Sequence, residues 1–140
     1  MSLAERLFTL PEARASLEKL REILPRLMEA RREAEPLQAS LAEVLKLSAG
    51  NGHVVEDDVA AERQRLERLA SLISTAVNEF ANQGIEIKDL ERGLVDFRSE
   101  MFGRVVYLCW VYGEEDIEWW HELDTGFSGR QRLPQDAPGS

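Results

Sequence analysis

No pair of cysteines is available to this chain. Its single thiol, Cys109, stands inside the apolar run Val105 to Val111, so a disulfide scaffold is excluded and a reducing compartment is expected. Within such a run the thiol reads as a small buried hydrophobe. Also missing is any uncharged apolar stretch of the roughly 18 residues needed to cross a bilayer. The N-terminal residues carry Glu5, Glu12 and Glu18 in place of the apolar h-region of a secretory signal. Membrane association is therefore not expected, and the expected location is the cytoplasm. A third absence is a basic stripe. Net charge is -9, and the stretch from Gly113 to Thr125 holds six acids and no base. Nothing in the pattern neutralises phosphates in series, which argues against nucleic-acid binding.

What is present suits one ordinary domain spanning 1–140, since 140 residues with 44% hydrophobic and 31% charged content can bury one continuous core. Thr9-Leu10-Pro11-Glu12 has the form of a capping box with proline in the first turn, and so predicts a helix start. Apolar positions then alternate three and four apart through Leu10, Ala13, Leu17, Leu20, Leu24 and Leu27. The alternation resumes in a shifted register through Ala30, Ala34, Leu37, Leu41 and Val44. Helix one is expected over 9–47, kinked or broken near Pro25 or Pro36, with the bend placed near Pro25 where the register shifts. After a glycine-rich loop containing His53, read as a solvent-facing residue, helix two is expected over 57–83. Its seam runs through Val59, Leu66, Leu69, Ile73, Ala76 and Phe80, and Gly84 serves as its stop.

Beyond Gly84 the period shortens. Ile85 to Lys88, Leu94 to Arg98 and Val105 to Tyr112 read as three strands of a small antiparallel sheet over 85–112, with Ser99 to Gly103 as a hairpin loop. The last run, VVYLCWVY, has no polar interruption, so both of its faces need covering. The acidic, aromatic segment 113–133 is the nearest apolar material in sequence, and is expected to fold back and be ordered. Residues 134–140 read as a frayed tail. The fold class is thus α+β: a long antiparallel helical hairpin, a sheet of about three strands, and an ordered C-terminal segment.

Candidate chemistry concentrates near the C-terminus. His121, Glu122 and Asp124 place an imidazole and two carboxylates within four residues, acceptable ligands for a divalent metal, with Asp89, Glu91 or Asp96 as distant contributors. The spacing matches no standard motif, because HExxH would need a histidine where Thr125 stands. Gly126, Gly129, Arg130 and Gln131 form a glycine-spaced loop ending in a guanidinium, a pattern able to grip an anion. The competing reading gives the glycines a turn role and pairs Arg130 with an acid such as Asp124 or Asp96. Ser128, in GFSGR, does not complete a nucleophile elbow. Eight of the ten aromatics lie from Phe97 onward. Adjacent Trp119 and Trp120 must face opposite ways, which marks them, with Phe127, as interface or pocket candidates.

Three blocks carry a resemblance: FTLPEARASLEKLREILPRL at 8–27, GIEIKDLERGLVDF at 84–97 and VYLCWVYGEEDIEWWHELDTGFSGRQ at 106–131. On them the chain resembles the small bacterial family catalogued as domain of unknown function 2203. The resemblance implies the helical hairpin with a small sheet and no defined activity. It marks Trp120, His121, Glu122, Asp124, Gly126, Phe127, Gly129, Arg130 and Gln131 as signature positions. Two functional expectations follow. The first is a non-enzymatic interaction protein that self-associates as a dimer through its helices. The alternative is a divalent-metal- or anion-dependent enzyme, or a protein binding a small metabolite, with its site in Trp119–Gln131.

Overall fold

The computed structural model describes residues 6–49 and 56–134. Two helices, α1 (Leu10–Ala49) and α2 (Glu56–Asn82), precede five strands: β1 (Ile85–Asp89), β2 (Leu94–Met101), β3 (Arg104–Val111), β4 (Trp119–His121) and β5 (Gln131–Arg132). The helix start forms as the sequence predicts. The Thr9 amide donates to Glu12 Oε1 at 2.8 Å and the Glu12 amide to Thr9 Oγ1 at 3.2 Å, satisfying donors that the first turn cannot pair internally. Gly84, at φ 91°, sits just beyond the end of α2 and turns the chain into the sheet. The His53 loop and the tail beyond residue 134 lie outside the described residues.

Helix α1 does not break. It runs through both Pro25 and Pro36, although each interior proline costs about 3 kcal/mol. Leu20, Leu24 and Leu27 around the first proline are fully buried, and each contributes roughly 1.5–3 kcal/mol by leaving water, so packing outweighs the lost hydrogen bond. Pro36 is exposed, where water can reach the carbonyl it frees. The register shift after Leu27 coincides with a change of packing partner. Leu10 to Leu24 belong to a core shared with Phe80, Val95, Phe97, Leu108, Trp110 and Trp120, whereas Ala30 and Ala34 pack with Leu69, flanked by Leu37, Leu66 and Ile73. The seam changes register where α1 passes from the sheet to α2.

The sheet is an antiparallel meander in the order β1-β2-β3-β4-β5, two strands more than the sequence predicts. The extra pair comes from the acidic segment itself. Tyr107 lies opposite His121, Leu108 opposite Trp120 and Cys109 opposite Trp119, while Trp119 pairs with Arg132 and Trp120 with Gln131. The β2–β3 hairpin is also tighter than the expected Ser99–Gly103 loop. Strand pairing continues to Met101 opposite Arg104, leaving Phe102 (φ 57°) and Gly103 (φ 75°) as the two turn residues. Two consecutive positive φ values match the right-handed twist of the flanking strands.

The acids of the 113–118 connection are met by bases from across the fold. Arg14 pairs with Asp116 at 2.9 Å and donates to the Ile117 carbonyl at 3.0 Å. Arg21 donates to the Glu115 carbonyl. From α1 the connection thus receives one ion pair and two hydrogen bonds to backbone carbonyls, while Glu114 and Glu118 pair with Arg130 and Arg132 of the C-terminal segment itself.

Candidate functional site

Strand periodicity divides the sheet into two unlike faces. Val95, Phe97, Val106, Leu108, Trp110 and Trp120 join the helices in the apolar core. The intervening residues, Glu86 and Lys88 on β1, Asp96 and Arg98 on β2, Tyr107 and Cys109 on β3, and Trp119 and His121 on β4, alternate with them and form a polar second face. Because Asp96 lies directly opposite Cys109 and His121 opposite Tyr107, the three side chains of Asp96, Cys109 and His121 meet. Their ligand atoms lie within 4.8 Å of one another. All three residues are at most 2% exposed.

The hydrogen bonds define this cluster further. His121 Nδ1 is 2.7 Å from the Glu122 carbonyl, and since a carbonyl only accepts, Nδ1 carries a proton. Nε2 faces both oxygens of Asp96 at 3.1 Å each. A bare nitrogen lone pair against two carboxylate oxygens would be repelled, so that edge requires a positive centre between the partners. With protons alone, the pair is either imidazolium and carboxylate or neutral ring and carboxylic acid. Burial pushes the Asp96 carboxyl up, against the opposing pull of His121 and Lys88. Burial, reinforced by the charge of Asp96, pushes the Cys109 thiol up to about 12, so the thiol is protonated at neutral pH and donates toward Asp96.

Two cations approach the cluster, and each is also held by an acid. Lys88 Nζ is 3.8 Å from Asp96 but 3.3 Å from Glu86, and it lies over the Tyr107 ring. Glu86 accepts from Arg98 at 3.0 Å and from the Tyr107 hydroxyl. Burial alone would raise the Glu86 carboxyl, but the hydrogen bonds from Arg98 and Tyr107 outweigh it and hold the group below its ordinary value. Arg130 Nη1 lies 3.8 Å from Cys109 Sγ. Its other arm is paired with Glu114, and its guanidinium stacks over Trp119 and Phe127.

The residues singled out from sequence separate in this arrangement. His121 turns into the polar second face. Glu122 instead pairs with Arg104, its Oε1 accepting from Nε at 2.9 Å, and that hydrogen bond holds its carboxyl below the ordinary range. Asp124 is exposed in the following turn. The three are not brought together as one ligand set. Arg130 has a carboxylate partner, but it is Glu114 rather than Asp124 or Asp96. Gly126 takes φ 67°, and a Cβ at Gly129 would come within 2.6 Å of the Thr125 Cβ, so both glycines have local reasons to be there. Gln131 is exposed on β5. Trp119 and Trp120 do face opposite ways: Trp120 is buried in the core, while half-buried Trp119 lies beneath Arg130 and Arg132. Sequence reasoning passes over Cys109 as a ligand and leaves Asp96 at the margin. The available signal was parity: an acid in the middle of Leu94–Arg98 and a thiol two residues from Tyr107 fall on the same face.

Two long helices on one face of a five-stranded meander, with a polar cluster buried on the other, define an α+β protein. The chain belongs to the uncharacterized conserved protein family DUF2203, whose model matches residues 6–133. Neither the curated proteins nor the solved structures yield a match. No helix among the described residues is long and apolar enough to cross a membrane.

Proposed function

We propose that this chain is an interaction protein that works as a homodimer, with α2 pairing antiparallel to α2 of a second copy. The observation that carries this reading is an open groove running between α1 and α2, with α2 forming one of its walls. On the α2 side Arg68, Ser71, Leu72, Thr75, Ala76 and Glu79 line this groove of about 720 Å³, whose α1 side is formed by residues including Ile23 and Arg26, and Leu72 is 50% exposed. These α2 positions are symmetric about the midpoint between residues 73 and 74. A two-fold axis there sets Leu72 against Thr75, Ser71 against Ala76 and Arg68 against Glu79 of the partner, an isologous contact with matched charge.

Three further features support it. Small side chains at 71, 75 and 76 permit close helix approach. Neither Arg68 nor Glu79 has an ion-pair partner among the described residues. A 27-residue helix is about 40 Å long, enough to supply the roughly 800 Å² per partner of a standard interface. The hairpins of two copies would then form a four-helix bundle, with a sheet at each end displaying its C-terminal segment. A non-enzymatic role accords with the pairing of Glu114, Glu122 and Arg130 to protein groups. A cytoplasmic setting accords with the unpaired thiol of Cys109.

Sedimentation at micromolar concentration tests the reading. The parent should run as a dimer, Arg68→Glu and Glu79→Arg should each weaken association about tenfold or more, and the double swap should restore it. A monomeric parent, or a double swap no better than either single change, would sink the proposal.

A further inference from the structure

We propose that Asp96, Cys109 and His121 form a three-ligand site for a zinc-class divalent ion that ties β2, β3 and β4 together on the face opposite the helices. The proposal is independent of self-association. Its first support is geometric. Zinc bonds of about 2.0–2.3 Å to nitrogen, oxygen and sulfur in a tetrahedral array set ligand atoms about 3.3–3.6 Å apart. Here His121 Nε2 is already 3.1 Å from each Asp96 oxygen, and all three ligand atoms lie within 4.8 Å of one another. Side-chain shifts of about 1 Å complete the array.

The second support is the orientation of the imidazole. Its Nδ1–H is fixed by the Glu122 carbonyl at 2.7 Å, which leaves Nε2 as the outward ligand atom. An outer carbonyl that sets the tautomer in this way is the usual companion of a metal-bound histidine. Nε2 is then aimed at two carboxylate oxygens, where a positive centre is required. The ligand chemistry selects its identity: one nitrogen, one sulfur and one carboxylate suit zinc or cobalt, whereas magnesium and calcium take all-oxygen sets.

Charge and proton balance are consistent with such an ion. Asp96 carboxylate and Cys109 thiolate together offset a divalent charge, and the neighbouring Lys88 and Arg130 are held by Glu86 and Glu114. Binding replaces two protons, one from the His121–Asp96 contact and one from the Cys109 thiol, and both leave to solvent. Among the described residues no fourth His, Cys, Asp or Glu joins the group, so the fourth position falls to water or a small anion beneath the C-terminal segment.

The alternative is that a shared proton alone occupies the contact, giving a closed buried pair with no affinity for metal. Refolding the full, tag-free chain from denaturant with Co²⁺ exposes the ligands and decides between the two. The expected result is one Co²⁺ per chain with a near-ultraviolet thiolate charge-transfer band and strong tetrahedral ligand-field bands, displaced by Zn²⁺ with two protons released per metal bound at neutral pH. Cys109→Ser should abolish the thiolate band, and Asp96→Asn, which keeps the side-chain shape, should weaken binding about a hundredfold. A refolded parent showing no tetrahedral spectrum, or only the weak octahedral bands of carboxylate and water coordination, would overturn the proposal. The parent spectrum alone is decisive, even if a variant fails to fold.

Discussion

Where α1 lies on the sheet, Leu17, Leu20, Leu24 and Leu27 are almost completely removed from water; toward the other end of the same helix, Leu45 and Leu47 are more than half exposed. Polar groups show the same contrast. At the sheet end, Asp96 and His121 are buried and paired with each other, whereas along the hairpin Glu33 and Arg65 form an ion pair open to solvent. At the sheet end the core is closed, although Phe102, Tyr112 and Leu123 at its rim stay exposed. The other end is left with half-packed side chains along both helices. The difference teaches that helix length here exceeds what the intramolecular core can use. A 40-residue helix reaches about 60 Å, whereas an eight-residue strand reaches only about 27 Å. That surplus is the length on which the proposed helix pairing would draw.

The largest expected effect separates the two ends by core packing. Phe97→Ala removes a fully buried ring in T-shaped contact with Phe8 and should cost about 3–5 kcal/mol in urea unfolding. Leu72→Ala, measured below the association concentration, should stay within about 0.5 kcal/mol. Equal effects would erase the distinction.

Ion pairs sharpen the same comparison. Asp96→Ala leaves His121 buried without its partner and should cost about 3–5 kcal/mol. Glu33→Ala, which breaks the exposed pair with Arg65, should cost about 0–1 kcal/mol. Thermal or urea melts of both variants at one protein concentration give the answer.

The smallest effect is a pH dependence. Glu86 is held below its ordinary value of 4.5 in the folded state, so between the two pKa values the unfolded chain binds more protons. Its contribution to stability is full above about pH 4.5 and is lost as pH falls through the folded value. Glu86→Gln should therefore lower stability at neutral pH and flatten the acid limb of the stability profile below pH 4.5. An acid limb as steep as the parent's would assign the dependence to other carboxylates.

Much of the closed end was legible in sequence, but unevenly. Three-and-four spacing located both helices within two residues of their observed ends, because burying one face of a helix leaves a periodic trace. The strand Arg104–Val111 was legible for a similar reason, as an apolar run between turn residues. Strand β4 was not. Trp119, Trp120 and His121 span three residues flanked by acids, too short for alternation to register. The loop before them is held by Arg14 and Arg21, 103 and 94 residues away in sequence from the carbonyls they bond. The β2–β3 turn was missed because Phe102 occupies a positive-φ position where asparagine or aspartate is the usual signal; its ring lies 5.2 Å from that of Trp120, a tertiary contact invisible to local reading. The Asp96–Cys109–His121 cluster needed the register of three strands before its members could be recognised as neighbours.

The meander order of the sheet bears on how the chain reaches this state. Every strand pairs with the one before it in sequence, so each pairing closes only a short loop at low entropic cost, and the β2–β3 hairpin closes over two residues. The two helices likewise meet across a short connection. Neither half needs the other to begin forming. The long-range step is the closure that brings the Phe8 amide to the Arg98 carbonyl, some 90 residues apart in sequence. From this topology the slow step of folding is expected to be the docking of the first half of α1 onto the sheet, because it closes the longest loop.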